Sequence, residues 1–199
     1  DDGLVRQIMG IFNETPIRQG RPFPRYGKSF DAVKEMLSRE LDESTFLCAY
    51  WHGELIGFVK LLRTSKFART GLFLGMQRHR DKGINNLLVA KSVEYCAAQG
   101  IRYFVYGQME YGRLGSRSLA EFKMNNGFRR MPIARYYVPL TLKGRLALKC
   151  GLQHGALSLV PTPALRAALT LRARWYARKA ARAEQSGTVS EQRAALDSR

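Results

Sequence analysis

A basic turn with a single glycine, HRDKGINNLL at residues 79–88, is the part of the sequence with the clearest capacity for chemistry. It brings Arg80 and Lys82 next to Gly83, and apolar residues follow. The free backbone amides at the start of a helix, together with the helix dipole, bind anions. A glycine at that point lets the backbone approach an oxygen-rich ligand closely. The segment therefore predicts a phosphate-binding turn. The alternative is an exposed turn in which Gly83 serves only the turn geometry.

Such a turn binds phosphate only if a strand ends before it and a helix begins after it. Residues 68–76 (ARTGLFLGM) predict a strand that ends near Met76, and the pattern over 84–99 predicts a helix that Gly100 closes. The spacing predicts that this helix turns four residues inward: Leu87, Leu88, Val93 and Cys96. The required strand, turn and helix are therefore all present in the pattern.

The remaining pattern predicts a mixed sheet covered by helices. Helices are expected at 4–12, 29–41 and 117–126, and strands at 45–51, 54–62 and 101–107, with two short extended pieces around Pro132 in 128–140. His52 and Gly53 read as a tight hairpin turn between the first two strands. Strands that meet first as a hairpin and are then linked through helices predict an α/β (α+β) fold with a mostly antiparallel central sheet.

The composition is that of a globular protein with an unusual positive charge. Of 199 residues, 45% are hydrophobic, and no apolar run reaches the length of about 18 residues that a membrane-spanning helix needs. The formal net charge is +17, and no carboxylate lies between Glu121 and Glu184. This asymmetry predicts an anionic partner: a phosphorylated ligand, a nucleic acid or an anionic membrane face.

The cysteines and histidines do not form a metal-binding pattern. Cys48, Cys96 and Cys150 are far apart, and none makes a CxxC or Cys/His spacing. We therefore predict no metal site, reduced cysteines and a cytoplasmic location. No Ser/His/Asp arrangement for nucleophilic catalysis is evident either.

Two segments resemble the GNAT superfamily of acyltransferases. RDKGIN (80–85) resembles its Arg/Gln-x-x-Gly-x-Gly/Ala pyrophosphate loop, although Asn85 replaces the small last residue and Asp81 replaces a common glycine. FKMNNGF (122–128) resembles the helix-end segment in which many members carry Phe/Leu-Tyr-x-x-x-Gly-Phe. The order of elements from residue 4 to 140 is similar to that fold with its first strand missing, which would suit a fragment.

The resemblance implies a coenzyme A thioester as the acyl donor. The backbone of 80–85 would hold the pyrophosphate of acetyl-CoA or another acyl-CoA, and the pantetheine arm would lie where strand 68–76 splays from strand 101–107. The implied cofactor-binding residues are Met76, Arg78, Arg80, Asp81, Lys82, Gly83, Ile84 and Asn85. An acceptor amine or hydroxyl would then attack the thioester directly, which requires positioning, a base and an acid.

The resemblance also points to candidates for the proton transfers. Glu110 and Tyr111 follow the strand after which such folds gather site residues, and they are the best candidates for base and acid. Lys123 occupies the position of the tyrosine that usually acts as the general acid in this family. A lysine could protonate a thiolate or hold an anionic group of the acceptor; the alternative is a solvent-facing helix residue.

The pattern divides the chain into residues 1–140, a basic helical extension at 141–184 and a polar tail at 185–199 that we expect to be disordered. Arginines recur along 164–184 near Trp175 and Tyr176, so this helix could lie on an anionic membrane or, less favoured, on nucleic acid; a solvated face is the alternative. Membrane contact would suit an acceptor that is a cell-envelope or polysaccharide precursor, with the protein at the inner face of the membrane.

Two other functions stay open. Phe122 and Lys123 before a glycine also resemble the Fem-type aminoacyltransferases, which use aminoacyl-tRNA as donor. Alternatively, Asn85 and Lys123 would suit a non-catalytic basic module that keeps the fold and binds RNA or anionic lipid. Ligand-dependent stabilisation by coenzyme A would separate an acyltransferase from both.

Overall fold

A computed structural model describes residues 1–109, 117–152, 161, 163–165 and 167–179 of the chain. The helices and strands in these residues, in chain order, are α1 (Asp2–Phe12), β1 (Ile17–Arg18), β2 (Arg21–Pro22), α2 (Phe30–Ser38), β3 (Ser44–Trp51), β4 (Glu54–Arg63), β5 (Phe67–Gly75), α3 (Ile84–Ala98), β6 (Tyr103–Val105), α4 (Arg117–Asn125) and α5 (Leu142–Lys149). A 3₁₀ turn at Arg80–Lys82 lies between β5 and α3. Residues 163–165 and 167–179, called here the basic helix, are also helical.

The central sheet has the strand order β3-β4-β5-β6. Neighbours pair antiparallel except β5 and β6, which are parallel. The β3–β4 hairpin turns at His52 and Gly53, whose φ angles of 48° and 81° are the positive values that a two-residue hairpin loop of type I′ requires. The predicted α/β (α+β) fold with a mostly antiparallel sheet is confirmed.

Strand β4 forms the centre of the protein because both of its faces are covered. On one face Phe58 packs against Phe12 of α1, with ring centroids 6.2 Å apart. On the other face Gly57 lies under α3, where a Cβ atom would come within 2.4 Å of the Ile84 side chain. Only glycine permits this close approach, which sets the start of α3 directly against the sheet. Burial from Leu55 to Leu62 is consequently continuous.

Helix α3 turns a different row of residues inward than the sequence predicted. Leu88 and Cys96 are buried, as expected, but Leu87 and Val93 are about half exposed. The buried row has a spacing of four residues and consists of Ile84, Leu88, Ser92 and Cys96. Ser92 is tolerated inside because its hydroxyl donates to the Leu88 carbonyl at 2.6 Å. Hydrophobicity alone therefore gave the wrong face for two positions.

A buried lysine fixes the end of α2, which stops at Ser38 rather than continuing to residue 41. Lys60 is 4% exposed, and its Nζ donates to the carbonyl oxygens of Leu37, at 2.9 Å, and Arg39. These are the carbonyls that a helix end leaves without partners. Burial lowers the pKa of Lys60, an effect that the Glu40 carboxylate partly opposes.

The predicted strand at 101–107 and the extended pieces at 128–140 differ from the structure. β6 has only three residues, and two of them, Tyr103 and Val105, are half exposed, because β6 lies at the edge of the sheet. Residues 128–140 contain no regular strand. Pro132 and Pro139 lack amide donors there, and no described strand lies beside the segment to pair with it.

The described residues from 142 onward are largely helical. Thr141 caps α5 by accepting a hydrogen bond from the Gly144 amide at 3.1 Å. The basic helix contacts the β1–β2 turn, where a Cβ atom at Gly20 would lie 3.1 Å from the Ala173 side chain. Among the described residues, no helix is long and apolar enough to cross a membrane. Residues 185–199 lie outside the described part, so the expectation for the tail stays a prediction.

Candidate functional site

The turn between β5 and α3 presents free backbone amides at the end of the sheet. Gly83, with φ 63° and ψ 25°, adopts the left-handed conformation that reverses the chain from the 3₁₀ turn into α3. In the described part of the chain, the amides of Ile84, Asn85 and Asn86 have no hydrogen-bond acceptor, and the first amide paired within α3 is that of Leu87. Three amides at a helix start form the positive end of the helix dipole.

The cations of this turn differ in their partners. Arg78 pairs with Glu54, and the Nε2 atom of His79 lies 3.5 Å from the same carboxylate. Lys82 lies 3.0 Å from Asp81, whose pKa is lowered chiefly by the hydrogen bond from this lysine. Arg80 is exposed and has no acidic partner among the described residues. Its guanidinium is therefore the charge at this turn that is available to an anion.

The tip of the β3–β4 hairpin braces the turn from the side. Glu54 begins β4 directly after the hairpin loop, and it supplies the carboxylate for Arg78 and His79. Trp51 ends β3, and the Lys82 Nζ lies 5.1 Å from its ring centroid. These contacts orient the turn against the sheet without occupying the amides of α3.

Glu14 fixes the beginning of the turn, a role that the sequence did not reveal. Its carboxylate accepts hydrogen bonds from the amides of Gln77, at 2.8 Å, and Arg78, at 2.9 Å. It also pairs with Arg18 at 3.0 Å, and both side chains are nearly buried. A charged carboxylate that binds two amides holds the backbone strongly. The one available sign was that Glu14 is the sole carboxylate between Asp2 and Asp31.

Arg18 connects three elements beneath the turn. Its guanidinium donates to the carbonyls of Ile11, at the end of α1, and Gly75, at the end of β5, at 2.8 and 3.2 Å. Burial lowers the pKa of Arg18, and the charge of Glu14 opposes that shift. The end of β5 is therefore fixed from below by Arg18 and Glu14 together.

The pairing between β5 and β6 ends before β5 does, and the region between β5 and the chain that follows β6 is called here the opening. The two strands pair only from Phe67–Tyr103 to Arg69–Val105, after which β5 continues for six residues to Gly75. On that side, residues 70–75 have no strand partner among the described residues. The Phe73 and Tyr106 rings meet across the opening, with centroids 5.1 Å apart. The two strands therefore stop pairing before the end of β5, as the predicted splaying requires.

Lys123 is buried at the side of this opening. It is 1% exposed, so the alternative of a solvent-facing helix residue is wrong. Its Nζ donates to the carbonyl oxygens of Tyr106, at 2.9 Å, and Gln108, at 2.5 Å, and lies 4.6 Å from the Tyr106 ring centroid. Burial lowers its pKa. The lysine thus supplies the donors that a neighbouring strand would otherwise give to these carbonyls.

The other predicted site residues have mixed outcomes. Met76 is buried in the core, and its amide donates to the Ile56 carbonyl at 2.8 Å, so it supports the turn from below. Ile84 is buried against Gly57, whereas Asn85 is exposed, with its side chain beside the end of β5. Glu110 and Tyr111 lie outside the described residues. In the described part of the chain, no three His, Cys, Asp or Glu side chains are grouped to hold a metal ion.

Comparison with protein families identifies one match, which covers more than half of the chain. The model of the acetyltransferase (GNAT) family matches residues 8–124. That span includes the second half of α1, the whole central sheet, the turn with Gly83 and most of α4. Comparison with curated protein sequences gives no match.

Solved structures share the fold at low sequence identity. The ribosomal-protein-alanine N-acetyltransferase of Brucella melitensis biovar Abortus 2308 is 15% identical, with a TM-score of 0.51 over 69% of this chain and 94% of that one. AAC(6′)-Iy in complex with the bisubstrate analogue CoA-S-monomethyl-acetylneamine is 15% identical, with a TM-score of 0.50 over 68% and 91%. A possible acetyltransferase from Clostridium difficile 630 is 10% identical, with a TM-score of 0.53 over 71% and 94%.

Proposed function

The chain belongs to the acetyltransferase (GNAT) family, and on that basis we propose that it transfers an acyl group, in the first instance acetyl, from coenzyme A to an amine or hydroxyl of an acceptor. The observation that carries the proposal is the set of three amides at Ile84, Asn85 and Asn86, which follow the left-handed Gly83 and have no acceptor among the described residues. They lie at the end of the strand that borders the opening.

The diphosphate of coenzyme A fits the chemistry of this turn. The amides donate hydrogen bonds to phosphate oxygens, the helix dipole favours their negative charge, and Arg80 adds a cation. No Cβ atom obstructs the approach at Gly83, where nothing lies within 4 Å of the position that a side chain would take. The exposed Asn85 side chain lies beside the end of β5, with its oxygen 3.0 Å from the position that a Cβ atom on Gly75 would take.

The pantetheine arm would occupy the opening between β5 and residues 106–109. An arm with amide groups can bond to a strand edge much as a neighbouring strand does. Residues 70–75 supply such an edge on the side facing away from β4. The diphosphate at the turn and the thioester further along β5 would then be bound by one continuous stretch of backbone.

The acceptor nitrogen or oxygen would attack the thioester carbonyl carbon. A C–N or C–O bond forms, the C–S bond breaks, and the sulfur leaves as a thiolate that takes up a proton, while the acceptor loses one. Glu110 as base and Tyr111 as acid stay our candidates for these transfers. Lys123 acts as a positioning residue in this proposal, because its ammonium group holds the carbonyls of Tyr106 and Gln108 at the wall of the opening.

An anionic acceptor agrees with the charge of the C-terminal half. The absence of carboxylates between Glu121 and Glu184 would favour a phosphate-bearing substrate, such as a lipid-linked cell-envelope or polysaccharide precursor. This assignment extends the family activity to a substrate class.

Thermal unfolding in the presence of candidate donors tests the proposal. A donor at about 100 times its Kd should add about 2.7 kcal/mol to the free energy of unfolding, or roughly 5–10 °C in Tm for a chain of this size. We expect acetyl-CoA or a longer acyl-CoA to produce this shift. A shift with aminoacyl-tRNA and none with acyl-CoA would assign the donor of Fem-type enzymes instead. No shift with either would support the non-catalytic alternative.

A further inference from the structure

The chain after α4 carries many apolar side chains that no part of the described protein covers. Residues 128–140 run without strand pairing, and α5 follows directly. Leu140 is 91%, Ile133 83% and Val138 77% exposed. Five further large apolar residues here are also exposed: Met131, Tyr136, Tyr137, Leu142 and Leu146. Large apolar side chains exposed in such number within one segment of the chain indicate a surface that contacts a partner.

The same region is strongly cationic. All ten lysines and arginines described from residue 129 onward are exposed: Arg129, Arg130, Arg135, Lys143, Arg145, Lys149, Arg172, Arg174, Arg178 and Lys179. No carboxylate interrupts them before Glu184. The basic helix adds exposed Leu171 and Trp175, with the Lys179 Nζ lying 5.4 Å from the Trp175 ring centroid. We call residues 129–149 and the basic helix together the cationic apolar surface.

The combination of aliphatic and cationic side chains discriminates among partners. A second copy of this chain would bring ten more cations against the first ten, and like charges repel. A nucleic acid would satisfy the arginines but would gain little from exposed leucine, isoleucine and valine, since strand binding relies on aromatic stacking and polar contacts. An anionic bilayer satisfies both, because its headgroups attract the cations and its acyl region accepts the aliphatic side chains.

We propose that the cationic apolar surface binds the protein peripherally to membranes containing anionic lipids. Apolar side chains of residues 131–142 insert at the boundary of headgroups and acyl chains, and the cations of α5 and the basic helix contact lipid phosphates. Trp175 would lie at the membrane–water interface, where Trp and Tyr side chains are enriched. The inference does not depend on acyl transfer, so it survives or fails separately from the proposed function.

Vesicle co-sedimentation of the full chain tests the proposal. We expect binding to vesicles of phosphatidylglycerol mixed with phosphatidylcholine and little binding to phosphatidylcholine alone. The binding should weaken with added salt, because the headgroup attraction is screened. Equal binding to both kinds of vesicle, or binding to neither, would overturn the proposal.

Two variants separate the apolar from the cationic contribution. Each cation near an anionic bilayer strengthens binding about fivefold, so Arg172→Gln/Arg174→Gln/Arg178→Gln/Lys179→Gln should weaken it several hundredfold. The matched control Lys28→Gln/Lys66→Gln/Lys91→Gln/Arg102→Gln removes four exposed cations elsewhere and should change binding by less than about tenfold. If the two charge variants lose equal vesicle binding, the binding depends on the net charge of the protein and not on the cationic apolar surface, and the proposal is wrong.

The apolar variant distinguishes a bilayer from nucleic acid. Ile133→Ser/Val138→Ser/Leu140→Ser removes three highly exposed side chains, so it should leave Tm unchanged and reduce binding to anionic vesicles at least tenfold. Binding to tRNA, measured in parallel, should not respond to this variant. If the protein binds tRNA more tightly than vesicles, and the apolar variant changes neither affinity, the surface is a nucleic-acid interface and the membrane proposal is wrong.

Discussion

The side-chain oxygen of Asn85 lies 3.0 Å from the position that a Cβ atom on Gly75 would occupy. In the GNAT pyrophosphate loop that residues 80–85 resemble, the last residue is small, whereas this chain has an asparagine there. The missing side chain at the end of β5 leaves the space into which Asn85 turns. The asparagine and the glycine therefore fit together, and the helix start stays close to the sheet.

Gly75→Ala should therefore weaken binding of acyl-CoA several-fold while changing the free energy of unfolding by less than about 1 kcal/mol, because an exposed side chain can yield to a new Cβ atom. The displaced Asn85 side chain would then lie over the amides of α3. Isothermal titration with acetyl-CoA measures the effect. In the Asn85→Gly background the same substitution should have almost no effect, and an undiminished loss there would contradict the pairing.

Gly83→Trp should abolish binding of acyl-CoA without unfolding the protein. The positive φ angle costs a tryptophan about 1–2 kcal/mol, and its ring would cover the amides. Gly100→Trp is the matched control, since Gly100 has φ 67° and open surroundings at the opposite end of α3. Both variants should lose similar stability in urea titrations, and only the first should lose its Tm shift with acetyl-CoA. Retained affinity in Gly83→Trp would argue against a diphosphate at this turn.

Glu14→Gln should lower the free energy of unfolding by about 1.5–3 kcal/mol and weaken acyl-CoA binding, because a nearly buried carboxylate accepts two amides and pairs with Arg18. Glu35→Gln removes a carboxylate from an exposed i,i+4 pair with Arg39 and should cost less than about 0.5 kcal/mol. Urea denaturation of both variants gives the comparison. Equal costs would mean that Glu14 does not stabilise the turn.

Lys123→Met tests the positioning role through the pH dependence of stability. Burial lowers the folded-state pKa of Lys123 below its ordinary value of 10.5, so between the two values the unfolded chain binds more protons. The free energy of unfolding of the wild type should therefore rise, relative to Lys123→Met, as the pH increases through that interval. Lys60 contributes with the same sign in both proteins and cancels. A constant difference across the interval would show that the lysine is not desolvated.

The same variant has a kinetic readout. If Lys123 only positions the wall of the opening, Lys123→Met should raise KM for acyl-CoA more than it lowers kcat. The alkaline limb of the pH profile, where a general acid loses its proton, should then stay in place. A large loss of kcat with a shifted pH profile would instead make this lysine the proton donor.

Local patterns predicted most of the elements, and contacts between distant residues account for what they missed. Positive φ angles, which few residue types adopt, occur in the hairpin at His52 and Gly53 and at Gly83 before α3. Both features could therefore be predicted from the sequence. Glu14 reaches amides 63 and 64 residues away, and no local pattern encodes that distance.

Burial of polar residues was the second source of error. The position of Lys123 was left open in the sequence analysis, and Lys60 was not singled out there. Both are inside, because each donates to backbone carbonyls. Residues 128–140 have the composition of strands, but pairing requires a partner edge, and the sequence gives no indication that β6 ends after three residues. The composition of a segment shows which secondary structures it can adopt, and the elements packed beside it determine which one it adopts.

The early end of the pairing between β5 and β6 places a limit on how stable this protein can become. Every additional pair of residues joined between the two strands would strengthen the sheet and, at the same time, close the gap in which we propose that the pantetheine arm binds. Substitutions that aim at a higher Tm should therefore not extend the pairing of β5 with β6, and should be placed elsewhere in the protein.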